Sequence, residues 1–228
     1  LNDVQHYDMV TNEYLKNCKM PITIFHGNID RVINYKSSLK LKEDFTNKIT
    51  KNTRVENTTL RDMVMSMITM KYTQSNSVGY AYNGQMIGIG AGQQSRIDCT
   101  ILARRKAEVW LLRHHPSIYN FADNLSPTMK KQDKINAIIH RIEEGEKIIE
   151  EISQKLFFIN FMKDKENSHL ILASDGFFPF GDSIDEASKI NITHVVQPGG
   201  SIADDTVISA CDSLNVCMIA TGIRAFHH

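Results

Sequence analysis

Three observations predict an α/β fold. The C-terminal third alternates strand, helix, strand, helix, strand at 170–173, 182–189, 192–196, 203–215 and 216–220, the pattern of right-handed βαβ units around a parallel sheet. Upstream, an apolar run at 78–91 is broken by Asn83-Gly84, which marks a hairpin. Before it, Leu60, Met63, Val64, Met67, Ile68 and Tyr72 recur at helical spacing, so a helix with one apolar face leads into the hairpin.

Taken in order, residues 1–20 are polar, 21–25 are β-rich, and 26–55 are mixed and charged. Thr58 or Thr59 is the expected N-cap of the first helix, with Asp62 favourable near its positive end. Its methionines read as core. Ser95 is the expected N-cap of a second helix over 96–115, which Pro116 ends. His114 and His115 suit a cation role at that helix's C-terminus; a base or metal pair is the alternative, disfavoured because adjacent helical side chains diverge. Residues 116–133 read as a polar connection. Ile135, Ile138, Ile139, Ile142, Ile149, Ile152 and Leu156 continue at helical spacing, and Glu143, Glu144 and Glu146 are a solvated face, so 117–168 reads as an accessory helical insertion. Asp182 or Ser183, then Ser201 or Asp204, are the expected caps of the last two helices.

Bulk properties exclude several classes. Lys plus Arg and Asp plus Glu balance at 26 each, so there is no electrostatic footprint for nucleic acid or an anionic membrane surface. No apolar run approaches a membrane span. Cys18, Cys99, Cys211 and Cys217 contain no C-x-x-C pair, and four cysteines in so long a chain suggest a reduced, cytoplasmic protein. Leu1 in place of Met makes a longer parent chain the expectation.

The chemistry concentrates in 71–96, KYTQSNSVGYAYNGQMIGIGAGQQSR. Gly88, Gly90 and Gly92 suit close approach of a ligand to the backbone. Arg96, in the first turn of a helix, offers planar donors to phosphate or carboxylate. A plain hairpin followed by a surface Arg fits the same residues. The strand-end loops 175–182, 197–201 and 221–228 belong to the ligand-binding edge of an open α/β sheet. Phe177, Phe178 and Phe180 offer walls for a flat heterocycle, although at least one must fill the core. Pro198-Gly-Gly-Ser201 can present backbone N–H groups to an anion. No Walker loop, G-x-G-x-x-G fingerprint, nucleophile elbow or zinc-deaminase signature occurs.

KYTQSNSV (71–78), GQMIGIGAGQQSRIDCT (84–100), LRHHP (112–116), SDGFFPFGDSID (174–185), QPGGSIADD (197–205) and IRAFHH (223–228) together resemble the 5-aminoimidazole-4-carboxamide ribonucleotide (AICAR) formyltransferase family, the transformylase part of a bifunctional purine-biosynthesis protein. The resemblance covers roughly 55–228; 117–168 diverges and 1–54 aligns poorly. It implies an α/β/α layered, cytidine-deaminase-like subdomain without the deaminase zinc. Residues 56–228 would be the C-terminal transformylase subdomain, with 1–55 ending a preceding one. It implies formyl transfer from 10-formyltetrahydrofolate to AICAR, and a homodimer with its site at the subunit interface.

By the same resemblance, Asn76, Arg96, Phe177 and Arg224 bind the ribonucleotide, and Ile97, Asp182, Ser201 and Ile202 lie on the folate side. Thr73, Ser75, Ser77 and Asp175 match side-chain ligands of a potassium ion, a hard cation suited to oxygen donors. Gly181 stands where many members carry Arg, and Gly79 and Asp98 also depart from the pattern. The family's catalytic Lys-His pair, in a K-H-x-[SN]-P-[CA]-G motif, has no counterpart among these 228 residues. The base and oxyanion stabiliser are therefore expected in a preceding half. The alternative is a non-catalytic nucleotide-binding or dimerisation module of the same fold.

Overall fold

The computed structural model describes residues 49–144, 160 and 169–226. The chain divides into two compact units, Leu1–Glu43 and Asp44–His228, and all described residues belong to the second. Helix α1 (Asn57–Lys71) leads into strands β1 (Ser77–Tyr82) and β2 (Gln85–Ala91). Helices α2 (Arg96–Leu112), α3 (Pro116–Asp123) and α4 (Lys131–Glu144) follow. The chain then alternates β3 (Leu170–Ser174), α5 (Asp182–Ser188), β4 (His194–Gln197), α6 (Asp204–Ser213) and β5 (Cys217–Ala220).

The five strands form one mixed sheet in the order β2-β1-β3-β4-β5. β1 is antiparallel to both β2 and β3, while β3, β4 and β5 are parallel. Alternation along the strands separates two faces. Val78, Tyr80, Tyr82, Leu172, Val195 and Met218 join the core with residues of α2, α5 and α6. On the other face Gly79 lies against Met70 of α1. The result is an α/β fold, as the sequence predicts, with helices on both faces of the sheet, as the resemblance implies. No helix among the described residues is long and apolar enough to cross a membrane.

Local chemistry explains most boundaries. Asn83 and Gly84 turn the hairpin with positive φ of 52° and 82°, the type I′ requirement. Ser95 caps α2: its Oγ accepts from the free helix-end amide Asp98 N at 3.1 Å and is oriented by donating to Asp98 Oδ2 at 2.6 Å. Asp98, a departure from the family pattern, thus has a local task.

Several expectations change. The N-cap of α1 is Glu56, without a side-chain cap bond, and Thr59 is buried inside the helix. The buried face of α1 is Thr59, Asp62, Met63, Ser66, Met67 and Met70, and Tyr72 is exposed. The apolar stripe is rotated because Asp62 points inward to the hairpin turn, where its carboxylate accepts from Gly84 N at 3.0 and 3.1 Å. Pro116 ends one helix and begins another, since its ring suits position N1. The expected polar connection therefore contains α3, whose Ile118 joins the core. His115 caps that helix, its Nδ1 accepting from Ser117 N at 3.3 Å; burial lowers its pKa, so a cation role does not fit. His114 Nδ1 donates to Trp110 O at 3.0 Å, near the end of α2. Neither Asp182 nor Ser183 caps α5; Gly181 does, without a side-chain bond. α6 is capped at Ala203 instead of Ser201 or Asp204. Residues 21–25, Ile149, Ile152, Leu156, His227 and His228 lie outside the described residues.

Candidate functional site

The topology gathers the candidates at one edge of the sheet. β3, β4 and β5 run parallel, so their C-terminal ends emerge together. β1 starts there and β2 ends there, because Ser77 pairs with Ala91 and Val78 with Ser174. Ser77 begins β1 at this edge, and Asn76, Arg96, Asp175, Phe177, Ser201, Ile202 and Arg224 follow or precede strands there.

Arg96 is the first residue of α2, but its guanidinium turns inward. Nε donates to Ser174 Oγ at 3.1 Å and Nη2 to Asp175 Oδ1 at 2.9 Å. Asp175 is fully buried and the Arg96 side chain is 13% exposed, so this is a desolvated ion pair whose partners depend on each other. A Cβ on Gly176 would collide with that guanidinium, so the bare backbone there makes room for it. The other Asp175 oxygen, Oδ2, is buried without a hydrogen-bond partner.

Asn76 is fixed from two sides. Its Nδ2 donates to Gln93 O at 3.1 Å and to Gln94 O at 3.4 Å. Its backbone carbonyl accepts from Gly92 N at 2.8 Å and Cys99 Sγ at 3.1 Å. With the amide donors held by carbonyls, Oδ1 is the group left to accept from a ligand. Cys99 is buried, and burial raises its thiol pKa, so it acts here as a hydrogen-bond donor.

The three phenylalanines divide. Phe178 is fully buried in the core, Phe180 is 63% exposed, and Phe177 is half-buried. The Arg224 guanidinium carbon lies 5.9 Å from the Phe177 ring centroid, within cation–π range. Ala225 N donates to Asp175 O at 2.8 Å and so anchors the Arg224 loop beside the β3 loop.

The glycine-rich strand end serves a different purpose from the one expected. A Cβ on Gly88 would strike Ala103 O and Ala107 N, and one on Gly90 would strike Cys99 O. These glycines let α2 lie backbone-to-backbone on β2; they do not admit a ligand. Only Gly92, at φ +66°, serves the turn itself. The Pro198–Ser201 loop also departs from expectation. Gly200 N and Ser201 N donate to the Asp204 carboxylate at 2.7 and 3.1 Å, so these amides are already taken by an internal anion.

Among the residues that the resemblance implies for the folate side, Asp182 is exposed, with Oδ1 accepting from Ser183 N at 2.7 Å. Ile202 is fully exposed at a loop tip and Ser201 is half-buried. Ile97 is half-buried in the first turn of α2. A Cβ on Gly181 would approach Ala210 Cβ at 3.3 Å and Thr206 O at 3.5 Å, so a larger residue there would lie along α6. The resemblance implies a potassium ion, and the oxygen set fits a hard cation. Ser77 Oγ donates to Met70 O at 3.5 Å and Thr73 Oγ1 to Thr69 O at 2.7 Å, which leaves hydroxyl lone pairs. Asp175 supplies the unpartnered carboxylate oxygen. Thr73 and Ser75 line one surface depression.

Motif reading placed Gln197 and Asp204 in QPGGSIADD, and Asp204 as a helix cap, but missed that their side chains hold loop backbone. The only sequence signal was their place at strand and helix ends. Residues 9–106 match the AICARFT/IMPCHase bienzyme family. The match includes Thr73, Ser75, Asn76, Ser77, Arg96 and Ile97 and reaches upstream into 9–54, which the quoted motifs left poorly aligned. Over this segment, which carries the Asn76 and Arg96 arm of the sheet-edge site, the chain is similar to the AICARFT/IMPCHase bienzyme family.

Proposed function

We propose that this chain supplies the substrate-binding part of an AICAR formyltransferase in purine (IMP) biosynthesis, working as part of a longer chain or assembly. The observation that carries the reading is the convergence of a buried Arg–Asp pair, an oriented Asn and an Arg-covered Phe on one strand-end edge. The family match over residues 9–106 supports it independently.

In this reading Arg224 serves the ribonucleotide phosphate, Arg96, already paired with Asp175, fixes the edge beside it, and Phe177 serves the imidazole face. Ile97, Asp182, Ser201 and Ile202 face 10-formyltetrahydrofolate. The reacting amine is conjugated with the imidazole and its carboxamide, so it is a poor nucleophile. Catalysis then rests on positioning, a proton acceptor and stabilisation of a tetrahedral oxyanion. Asn76 Oδ1, turned outward because Nδ2 is held by Gln93 O and Gln94 O, accepts from the amine and orients it. Thr73, Ser75, Ser77 and Asp175 would hold potassium. When bound, that ion supplies positive charge beside the buried Asp175 carboxylate. No Lys-His dipeptide occurs in the chain, so the proton acceptor is not assigned here. A homodimer that completes the site, and a cytoplasmic location, belong to the same proposal.

Calorimetric titration of AICAR into the 228-residue chain tests it. Saturable binding is expected, and Arg224→Ala should weaken it by about 10- to 100-fold, the size of a lost charge-assisted contact. Absence of binding, or an Arg224→Ala chain binding as tightly, would sink the assignment. The second reading, a non-catalytic module, is favoured by the missing Lys-His pair. Formyl transfer by the parent protein would reject it; nucleotide binding without either formyl transfer or cyclohydrolase activity would support it.

A further inference from the structure

We infer that Gln197 is a positioning residue for the ring-binding wall, an inference that rests on the ribonucleotide reading above. Gln197 ends β4, which lies between β3 and β5. It therefore stands where the loops leaving all three parallel strands come together. Its side chain is completely buried. Oε1 accepts from Phe178 N at 2.7 Å, in the loop after β3. Its backbone carbonyl accepts from Thr221 N at 2.8 Å, in the loop after β5. Gly222 N donates to the next carbonyl, that of Pro198, at 2.9 Å.

Gln197 ties both sides of the pair that would receive the ribonucleotide, and the bond from Ala225 N to Asp175 O adds a second tie on the Arg224 side. Phe178 plugs the core, so fixing its amide fixes the adjoining Phe177. Arg224, facing Phe177 at 5.9 Å, sits three residues beyond the Thr221 amide that the Gln197 backbone holds. The nitrogen end of the amide contributes little to stability. Nε2 donates to the Met218 thioether at 3.4 Å, a weak acceptor, in a site where an apolar side chain of equal length would pack. What an apolar side chain lacks is the acceptor for Phe178 N.

The test compares Gln197→Met, which removes that acceptor at similar volume, with Gln197→Glu, which keeps an acceptor oxygen. Two quantities are read in the 228-residue chain: the AICAR Kd, and hydrogen exchange at the Phe178 amide. Gln197→Met should raise the Kd about tenfold, the scale of one hydrogen bond, and speed exchange at Phe178; Gln197→Glu should restore most of both. In a cycle with Phe177→Ala, the two losses should not add, because both act through the same ring. An unchanged Kd in Gln197→Met, additive losses, or a Gln197→Met chain that fails to fold would each overturn the inference. A wild-type chain that binds no AICAR overturns the ribonucleotide reading instead. In that case unchanged Phe178 exchange in Gln197→Met would show that Gln197 does not hold the loop either.

Discussion

At the scale of single residues, polar groups buried among hydrophobes decide where substitution is costly. Asp175 neutralises Arg96 at full burial. Asp175→Asn leaves that guanidinium without its counter-charge and should destabilise the chain by about 3 kcal/mol, read as a lower urea midpoint. Tyr80 presents the opposite case. Its hydroxyl is buried without a partner, and burial raises its pKa well above the ordinary value. Arg104 passes close by but is engaged with Glu108 and Glu186. Tyr80→Phe removes an unsatisfied group and keeps the ring, so stability should stay level or rise by about 1 kcal/mol. A large loss in thermal melts would mean that the hydroxyl has a partner after all.

At the scale of elements, two contacts join pieces that propensity alone leaves separate. Asp62 of α1 holds the β1–β2 turn through Gly84 N. Asp62→Ala strands that amide and frees Arg61, its ion-pair partner at 2.6 Å; a loss of about 2 kcal/mol is expected. The second contact is the seat of α2 on β2. A methyl group at Gly88 or Gly90 meets helix backbone, which cannot swing aside as a side chain does. Gly90→Ala should therefore cost at least about 1–3 kcal/mol. It should also disturb Asn76, because Cys99, on which Gly90 rests, donates to the Asn76 carbonyl. The check is chemical denaturation together with AICAR titration; a stable Gly90→Ala chain with unaltered binding would show that α2 can shift freely.

At the scale of the whole molecule, the sheet has two ends with different chemistry. The site occupies the C-terminal ends of the parallel strands. At the other end, a strap over 49–56 crosses β5 and β4. Ile49 N donates to Met218 O at 3.1 Å, Met218 N to Thr50 Oγ1 at 2.8 Å, and Lys51 N to Asp212 Oδ1 at 2.7 Å. His194 clasps the strap from β4. Its Nε2 faces Arg54 O at 2.8 Å and so carries the proton, while Nδ1 accepts from Thr193 Oγ1 at 2.9 Å. Burial lowers the His194 pKa to about 4. It also lowers that of His169, whose ring packs edge-on at 4.8 Å and whose Nε2 lies 3.8 Å from Glu56 Oε2.

Both histidines are held neutral in the fold, so the unfolded chain takes up protons first. Stability from this pair is intact above pH 6.5 and falls as the pH drops toward about 4. For His194 the loss is on the order of 3 kcal/mol. Urea midpoints measured from pH 7.5 to 4.5 should fall, and less steeply in His194→Gln. Parallel slopes for the two chains would remove His194 as the cause.

Chain order and period by themselves determined the strand-helix alternation, the hairpin at Asn83-Gly84, the Ser95 cap and hence the α/β class. These depend on local φ/ψ preference, capping and periodic burial, which neighbours in sequence express. The motif residues within 71–100 were likewise readable, and the family match covers them. What only the tertiary structure decided depends on partners far apart along the chain. Asp62 looked like a helix-end charge and instead holds a turn 22 residues away. Gly88 and Gly90 looked like a ligand floor and are the seat of a helix. Arg96 looked like an outward anion anchor, yet it turns in to an Asp 79 residues later. Gln197 stood in a quoted motif with no role of its own, and its role exists only because β4 lies between β3 and β5. The sequence names the groups available at the sheet edge; burial and strand order decide which of them are already engaged.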